Sequence, residues 1–577
     1  GVSEFIMHNG MSFDAVALNR KCNANIMPNK ITDTLILSQL FNPVRDGGHS
    51  LAAWGERFKM PKGGVDSFDY YTPAMLDYCK QDVNITYKLY NYLKSESKGF
   101  SKQSVELEHK VRNIIDQQER TGFYLDIPYA SMFVARLADQ ADAIHAQLQE
   151  VFPAAVVTGR THKTSGKPLR DIVTPFNPGS RKQIGERLIE LGWKPTKKTD
   201  KGHVIVDEAV LSGIDIPEAQ LISKYLVLQK RYAQVSSWIE AVQDDDRVHG
   251  RVLTLRTITG RMAHTSPNMA QVPASYSPYG EECRTCWRVE NEDTHRLVGT
   301  DASGLELRGL AHYMNDPKFT QEILEGDVHT ANMKMAGLTN RDQAKTFIYA
   351  LCYGAGPAKI GTIVGGSSKE GQILIDRFLN NMPKLKSLRT NLTKAAESGV
   401  IKGLDGRLIH IRNSYSAVNS LIQGAGAVIC KQWLVQMHEE INRQGLDAKL
   451  VASIHDEYQF EVSKKDIDQF GKITKESIKK VEQVYASTNE RSHFKWLIKS
   501  KTESFLELLT GPMLLALTPP LIPIAGRLMC VTCLMKPELW LKKMGWILKI
   551  KAMIVETLLR SNVIFSVRME VLTMLRR

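Results

Sequence analysis

Two short apolar runs, RLVGTD and LVASIHD, each close on an aspartate, Asp301 and Asp456, and they constrain the chain more than any other feature. An apolar run of strand length that stops at an acid delivers a carboxylate to the end of a sheet. If the two runs are neighbours, two distant carboxylates converge, and hard oxygen donors of that kind suit a shared magnesium site. The second run continues as DEYQFEV, so apolar residues flank His455, Asp456 and Glu457, the pattern of a β-hairpin with the acid at its turn. Between the runs, RDQAKTFIYALCY places Arg341, Lys345 and Tyr349 at i, i+4 and i+8, one helical stripe drifting about 40° per step. Two cations and a flat ring on one face suit a nucleoside triphosphate. A solvated helix face with one packed tyrosine accounts for the same residues when the helix is taken alone.

The 577 residues suffice for roughly four domains of about 150 each. The net charge of +13 is weak evidence for nucleic-acid binding, because residues 491–577 hold 14 Lys/Arg against 5 Asp/Glu. A better local signal is residues 159–202, with 11 Lys/Arg against 4 Asp/Glu in a stretch rich in Thr, Gly and Pro; a solvated loop explains it equally well. Two CxxC pairs, Cys283/Cys286 and Cys530/Cys533, are far apart and lack histidines at zinc spacing, so coincidence is the favoured reading. Unpaired thiols fit a reducing cytosol. The beginning GVSEFIM carries no charged-then-apolar export signal and reads as the start of a fragment.

Taken in order, residues 1–98 run from HNGMSFD to a helical YCKQDVNITYKLYNYL, with Tyr78 and Asp82 one turn apart on the same face. Residues 99–250 read as mostly helical, with apolar stripes at Val105, Val111, Ile114 and Ile115 before a stop at Gly122, and at Leu221, Ile222, Tyr225, Leu226 and Leu228. Ser180 is placed to cap a helix ending near Gly192, and the basic run around it suits contacts to a phosphate backbone. In TLRTITGRMAHTSPNMAQVP the notable cation is Arg261. The helix SAVNSLIQGAGAVICKQWLVQMHEEI carries Asn419 and Gln423 at i and i+4, amides able to reach minor-groove base edges or to bond a neighbouring helix.

DASGLELR, RDQAKTFIYALCYGAG and HDE, in that order and spacing and flanked by TGRMAHTSPNMAQVP, GDVHT and GLDGR, resemble the three polymerase motifs of family A DNA polymerases. The similarity spans about residues 5–485 and is greatest to the replicative enzymes of T-seven-like phages. It implies a multidomain α+β fold, a right hand of palm, fingers and thumb. On that pattern 99–250 are thumb and connecting helices, 251–317 and 419–485 the two parts of the palm, and 318–418 the fingers. It implies that Asp301, Asp456 and the carbonyl of Ala302 hold two magnesium ions, with manganese as a substitute. Arg341, Lys345 and His329 would grip the triphosphate, with Lys345 as proton donor to pyrophosphate. Tyr349 would lie beside the incoming sugar, Tyr353 near the templating base, and Glu306 against a ribose 2'-hydroxyl. Arg261, Asn419, Gln423 and His455 would contact the primer-template end.

HNGMSFD followed by YxxxD also resembles the second and third motifs of DnaQ-like 3'-to-5' proofreading exonucleases, an RNase H-like fold, which implies metal-binding roles for Asp14 and Asp82 and a water-orienting role for Tyr78. The DxE strand of that family would precede Gly1, so the domain is expected to be partial and proofreading slight or absent. The implied partners are primer-template DNA and deoxynucleoside triphosphates, with a phage helicase-primase as a candidate and no membrane. Thioredoxin is not expected, because TSGKPLRDIVTPFNPGS is short where the phage-type thumb carries a long inserted loop. The implied location is the cytoplasm of an infected bacterium.

Residues 486–577 are unlike the family, and out-of-frame translation is the preferred explanation over an appended domain. The apolar run Gly511 to Gly526 is too short and too interrupted by Pro519, Pro520 and Pro523 for a membrane span. A single-subunit RNA polymerase and an inactive primer-template binder are the rival readings; Glu306 and the acid of HDE favour DNA synthesis.

Overall fold

The structure is a computed structural model. It describes residues 2–64, 72–159, 164–165, 167, 170–195, 198–199, 202 and 204–486, with the backbone of 500–504. They belong to one compact unit, Gly1–Leu509. The apolar run from Gly511 and the pair Cys530/Cys533 lie outside the described residues.

At the N-terminus, β1 (Phe5–Met7) pairs in parallel with β2 (Ile31–Asp33), and α1 (Asp14–Cys22) starts at the end of HNGMSFD. That turn is held by one buried carboxylate: Asp33 accepts from the backbone N–H groups of Asn9, Met11 and Leu35 at 2.8, 3.2 and 2.9 Å. The helix α2 (Pro73–Glu96) covers the pair with Ile85, Leu89 and Leu93, which are fully buried at i, i+4 and i+8. Then α3 (Lys102–Thr121) ends at Gly122, whose φ of 66° is a conformation glycine adopts at no steric cost.

A helical arm follows. Helices α4 (Ile127–Val151) and α5 (Pro217–Glu240) bury Phe133, Leu137, Ile144 and Leu148 with Ile222, Leu228, Val235 and Trp238 in one core. Ser180 caps Arg181–Glu190 by accepting from the N–H of Gln183, as its position predicts. Cys283 and Cys286 sit reduced and buried in the arm core, where burial pushes their thiols up to about 11 and about 12. They are inert core residues.

The central sheet begins with β3 (His295–Ala302). After it come α6 (Leu305–Met314), α7 (Val328–Ala336) and α8 (Arg341–Cys352), then the 28-residue helix α9 (Ala417–Gln444). Next are β4 (Ala448–Ile454), β5 (Glu457–Ser463), α10 (Ile467–Ala486) and β6 (Ser500–Ser504). The sheet order is β4-β5-β3-β6, all antiparallel, with Glu457 opposite Asp301 and Ser463 opposite His295. β6 comes from the stretch set apart as foreign to the family, so part of that stretch joins the central sheet through backbone pairing. α9 is buried on nearly every face, and its Trp433 packs edge-on against Tyr458 of β5 while donating to the carbonyl of Thr474 at 3.0 Å.

A buried ion quartet joins these layers. Glu108 of α3 accepts from Lys431 of α9 at 2.7 Å and lies 2.8 Å from Arg407, an ion contact off the hydrogen-bond line. Arg407 also pairs with Asp405 at 2.7 Å, and Lys431 donates to the carbonyl of Thr254 at 2.8 Å. All four side chains are at most 3% exposed. Burial pulls Lys431 down to about 8 despite Glu108. Two cations with two anions balance; removing one anion leaves an uncompensated buried charge.

Two outcomes follow from this packing. Glu108→Gln is expected to lower unfolding free energy by about 3–5 kcal/mol in urea titration, and Glu108→Gln with Lys431→Met to recover much of the loss. His8 donates from Nδ1 to Thr34 Oγ1 at 2.9 Å, since that hydroxyl already donates to the Met7 carbonyl at 3.0 Å. Burial holds His8 at about 4, below the ordinary 6.5. Between these values the unfolded chain binds the extra proton, so the stability present above pH 6.5 is lost as pH falls toward 4. At pH 5 the loss is about 2 kcal/mol, expected as faster amide exchange around β1 and β2 that His8→Gln makes less pH-dependent.

Candidate active site

The antiparallel pairing of β5 with β3 brings the two predicted carboxylates to one end of the sheet. The N–H of Ala302 donates to the carbonyl of Asp456 at 3.0 Å, and Asp301 faces Glu457 across the ladder. His455 takes φ 58° to turn the β4–β5 hairpin, so the acid stands at the turn as its sequence predicts. Behind it, His264 Nε2 bonds the carbonyl of Ser453 at 2.7 Å. Asp301 and Asp456 are partly buried, and desolvation raises the Asp456 carboxyl above its usual range while Arg261 and His455 oppose the shift. A site that keeps carboxylates half-desolvated favours a cation beside them, and the donors, two carboxylates with neighbouring carbonyls, suit magnesium or manganese. Among the described residues no group of three or more His, Cys, Asp or Glu side chains forms a metal cluster. Any ion here would therefore rely on carbonyl, water or substrate oxygens as well.

A cationic wall stands at α8. Asn340 caps the helix by accepting from the N–H groups of Asp342 and Gln343, and Arg341 and Lys345 are exposed while Tyr349 is partly buried. His329, near the start of α7, joins them: its ring lies 6.1 Å from that of Tyr349, and burial, then Arg341 and Lys345, lower its pKa. Thus the three residues expected to grip a triphosphate lie near one another, with Tyr349, expected beside the sugar, next to His329. Tyr353 follows the helix and donates to Glu306 at 2.5 Å, while Arg261 donates to the other oxygen of Glu306 at 2.8 Å. Burial, then Glu306, raises both tyrosine hydroxyls, Tyr349 and Tyr353, above the usual range. Asn419 and Gln423 are partly buried on α9. Neither amide bonds a described residue, which disfavours the helix-to-helix alternative.

The structure also gathers Asp14 and Asp82 on one cleft of about 950 Å³, together with His8, Arg251 and Arg256. Lys62, which sequence reasoning missed, enters this cleft. Its ammonium lies 3.0 Å from Asp82 and 4.8 Å from the ring centre of Tyr78. Burial, with Asp82 nearby, raises the Asp14 carboxyl. The other residue missed is Asp327, which holds Arg341 through two hydrogen bonds, Nε at 2.7 Å and Nη2 at 3.0 Å. Its place two residues before His329 in GDVHT was the only available signal.

Comparison with known proteins agrees with this geometry. A model of DNA polymerase family A matches residues 155–492. The DNA-directed DNA polymerase of Escherichia phage T7 is 33% identical, over 80% of this chain and 87% of its own. That of Enterobacteria phage T3 is 33% identical, over 79% and 85%. Among solved structures, the POL domain of Pol1 from M. smegmatis, in complex with DNA primer-template and dNTP, superposes with a TM-score of 0.68 at 20% identity, covering 82% of this chain and 81% of its own. That likeness concerns the fold, a right hand of mixed helix and sheet. With two carboxylates brought together at one end of the sheet and a family match over more than half its length, the chain belongs to DNA polymerase family A.

Proposed function

We propose that this chain extends a primer 3'-hydroxyl with deoxynucleoside triphosphates under the direction of a DNA template, in phage-type replication. The observation that carries the reading is the convergence of Asp301 and Asp456 at the end of neighbouring strands, joined by the Ala302–Asp456 backbone bond. In this reading residues 99–250 form the thumb and connecting helices, 318–418 the fingers, and 251–317 with 419–485 the palm, behind an exonuclease-like part built around Asp14, Tyr78 and Asp82.

Asp301, Asp456 and the Ala302 carbonyl would hold divalent metal. Two magnesium ions held there would supply charge for activating the primer hydroxyl and for steadying the leaving pyrophosphate. The protein's own work is placement and proton handling. Arg341 and His329 bind the triphosphate, His329 as a neutral donor because burial and two neighbouring cations disfavour its protonation. Lys345 gives a proton to pyrophosphate. Tyr349 flanks the sugar, and Tyr353, bonded to Glu306, marks the templating side. Glu306 stands where a 2'-hydroxyl would enter and so selects deoxynucleotides. Arg261, Asn419, Gln423 and His455 line the path of the primer terminus. Primer-template DNA and dNTP in the superposable M. smegmatis complex support these partners.

Extension of a primed template with magnesium tests the reading. Asp456→Asn is expected to reduce the rate about a thousandfold or more, with primer-template binding retained; chelation abolishes extension and magnesium or manganese restores it. Equal extension by the wild type and Asp456→Asn would refute the assignment. Glu306→Ala is expected to narrow the preference for deoxy- over ribonucleotides, measured as a ratio of kcat/KM values; a wild type that prefers ribonucleotides would point to RNA synthesis instead.

A further inference from the structure

Asp327 is the N-cap of α7, and its carboxylate is saturated. Oδ1 accepts from the N–H of His329 at 3.1 Å, the N–H of Thr330 at 3.4 Å and Arg341 Nη2 at 3.0 Å. Oδ2 accepts from Thr330 Oγ1 at 2.7 Å and Arg341 Nε at 2.7 Å. Capping needs only an acceptor for the first N–H groups, which a serine supplies as well. The bonds to Arg341 are additional to it.

Their geometry is selective. A guanidinium carries five N–H donors in a rigid fork. Asp327 takes the Nε–Nη2 edge, and no described residue accepts from Nη1. The Nη1–Nη2 edge therefore remains available to a second oxyanion. We propose that Asp327 is a positioning residue for the incoming triphosphate: it clamps Arg341 by one edge and leaves the other to fork onto a terminal phosphate. The same carboxylate fixes the helix start that carries His329, so one acid sets two phosphate-facing residues on a common wall. This rests on the reading of Arg341 and His329 as phosphate ligands.

Stability does not explain the pair. Its side chains are 50% and 44% exposed, and exposed ion pairs contribute little to folding. Orientation does explain it, because a long exposed arginine otherwise loses rotamer freedom when it binds. The Asp327 charge repels the approaching phosphates, but Arg341 already neutralises it at contact distance. Arg341 also holds the Asp327 carboxyl well below the usual carboxylate range, so the clamp persists throughout the working range of pH.

The test uses the full chain on a dideoxy-terminated primer-template, measuring the Kd of the next correct dNTP, with KM and kcat taken on an extendable primer. Asp327→Ser keeps the cap and removes the clamp. Kd and KM are expected to rise about three- to tenfold, with kcat and melting temperature little changed. In an Arg341→Ala background, itself weaker in binding, Asp327→Ser is expected to add nothing. An unchanged or tighter Kd for Asp327→Ser overturns the proposal, and so does an undiminished effect in the Arg341→Ala background, which would make the role merely structural. If Arg341→Ala leaves Kd unchanged, the phosphate reading of α8 fails and the proposal with it. A chain that binds no primer-template fails the polymerase reading itself, a separate result.

Discussion

The register of β5 against β3 is the constraint on which the site depends. Side chains alternate across a strand, so a slip of one residue would send Asp301 to the opposite face and separate it from Asp456. Two features hold the register. Tyr458 is buried against Trp433 of α9, and Phe460 and Val462 follow at the same spacing, so the core accepts only one phase of β5. The Ala302–Asp456 backbone bond continues the ladder past the last paired residue and ties the hairpin turn to the strand end.

α9 is the second constraint on the site. Its exposed-to-buried alternation is nearly absent, because it packs on the sheet, α3, α6 and α10 at once. Close approach requires small residues, and a Cβ at Gly424 would stand 2.7 Å from Ile409. A helix so enclosed can place Asn419 and Gln423 reliably. It must also satisfy Lys431, whose charge is unaffordable in that core without Glu108.

Much of the site was legible because its signals are local. An apolar strand ending at Asp301, a hairpin turning at Asp456 and a cationic stripe at i and i+4 each follow from a few consecutive residues. The quartet was not legible, since Glu108 and Lys431 are 323 residues apart and an isolated glutamate in a helix reads as solvent-facing. Lys62 was hidden for the same reason: neither its neighbours nor any period point to Asp82. β6 escaped through composition, because pairing at a sheet edge is made by the backbone and leaves little trace in the side-chain pattern. The fold was thus readable where one segment decides its own structure, and unreadable where two distant segments decide it jointly.

The site balances its own charges. Arg261 rests on Glu306, and Tyr353 reaches the other oxygen of the same carboxylate. Unpaired guanidinium and ammonium groups crowded together would repel one another and adopt many rotamers. Pairing each arginine with a carboxylate removes the repulsion and limits the rotamers. Glu306 is partly buried, so its two partners compete with little water and hold it in one orientation. An acid fixed from both sides is a better steric boundary than a free one, because it cannot swing aside. If Glu306 selects the sugar as proposed, that selection would depend on Arg261 and Tyr353 as well as on Glu306 itself.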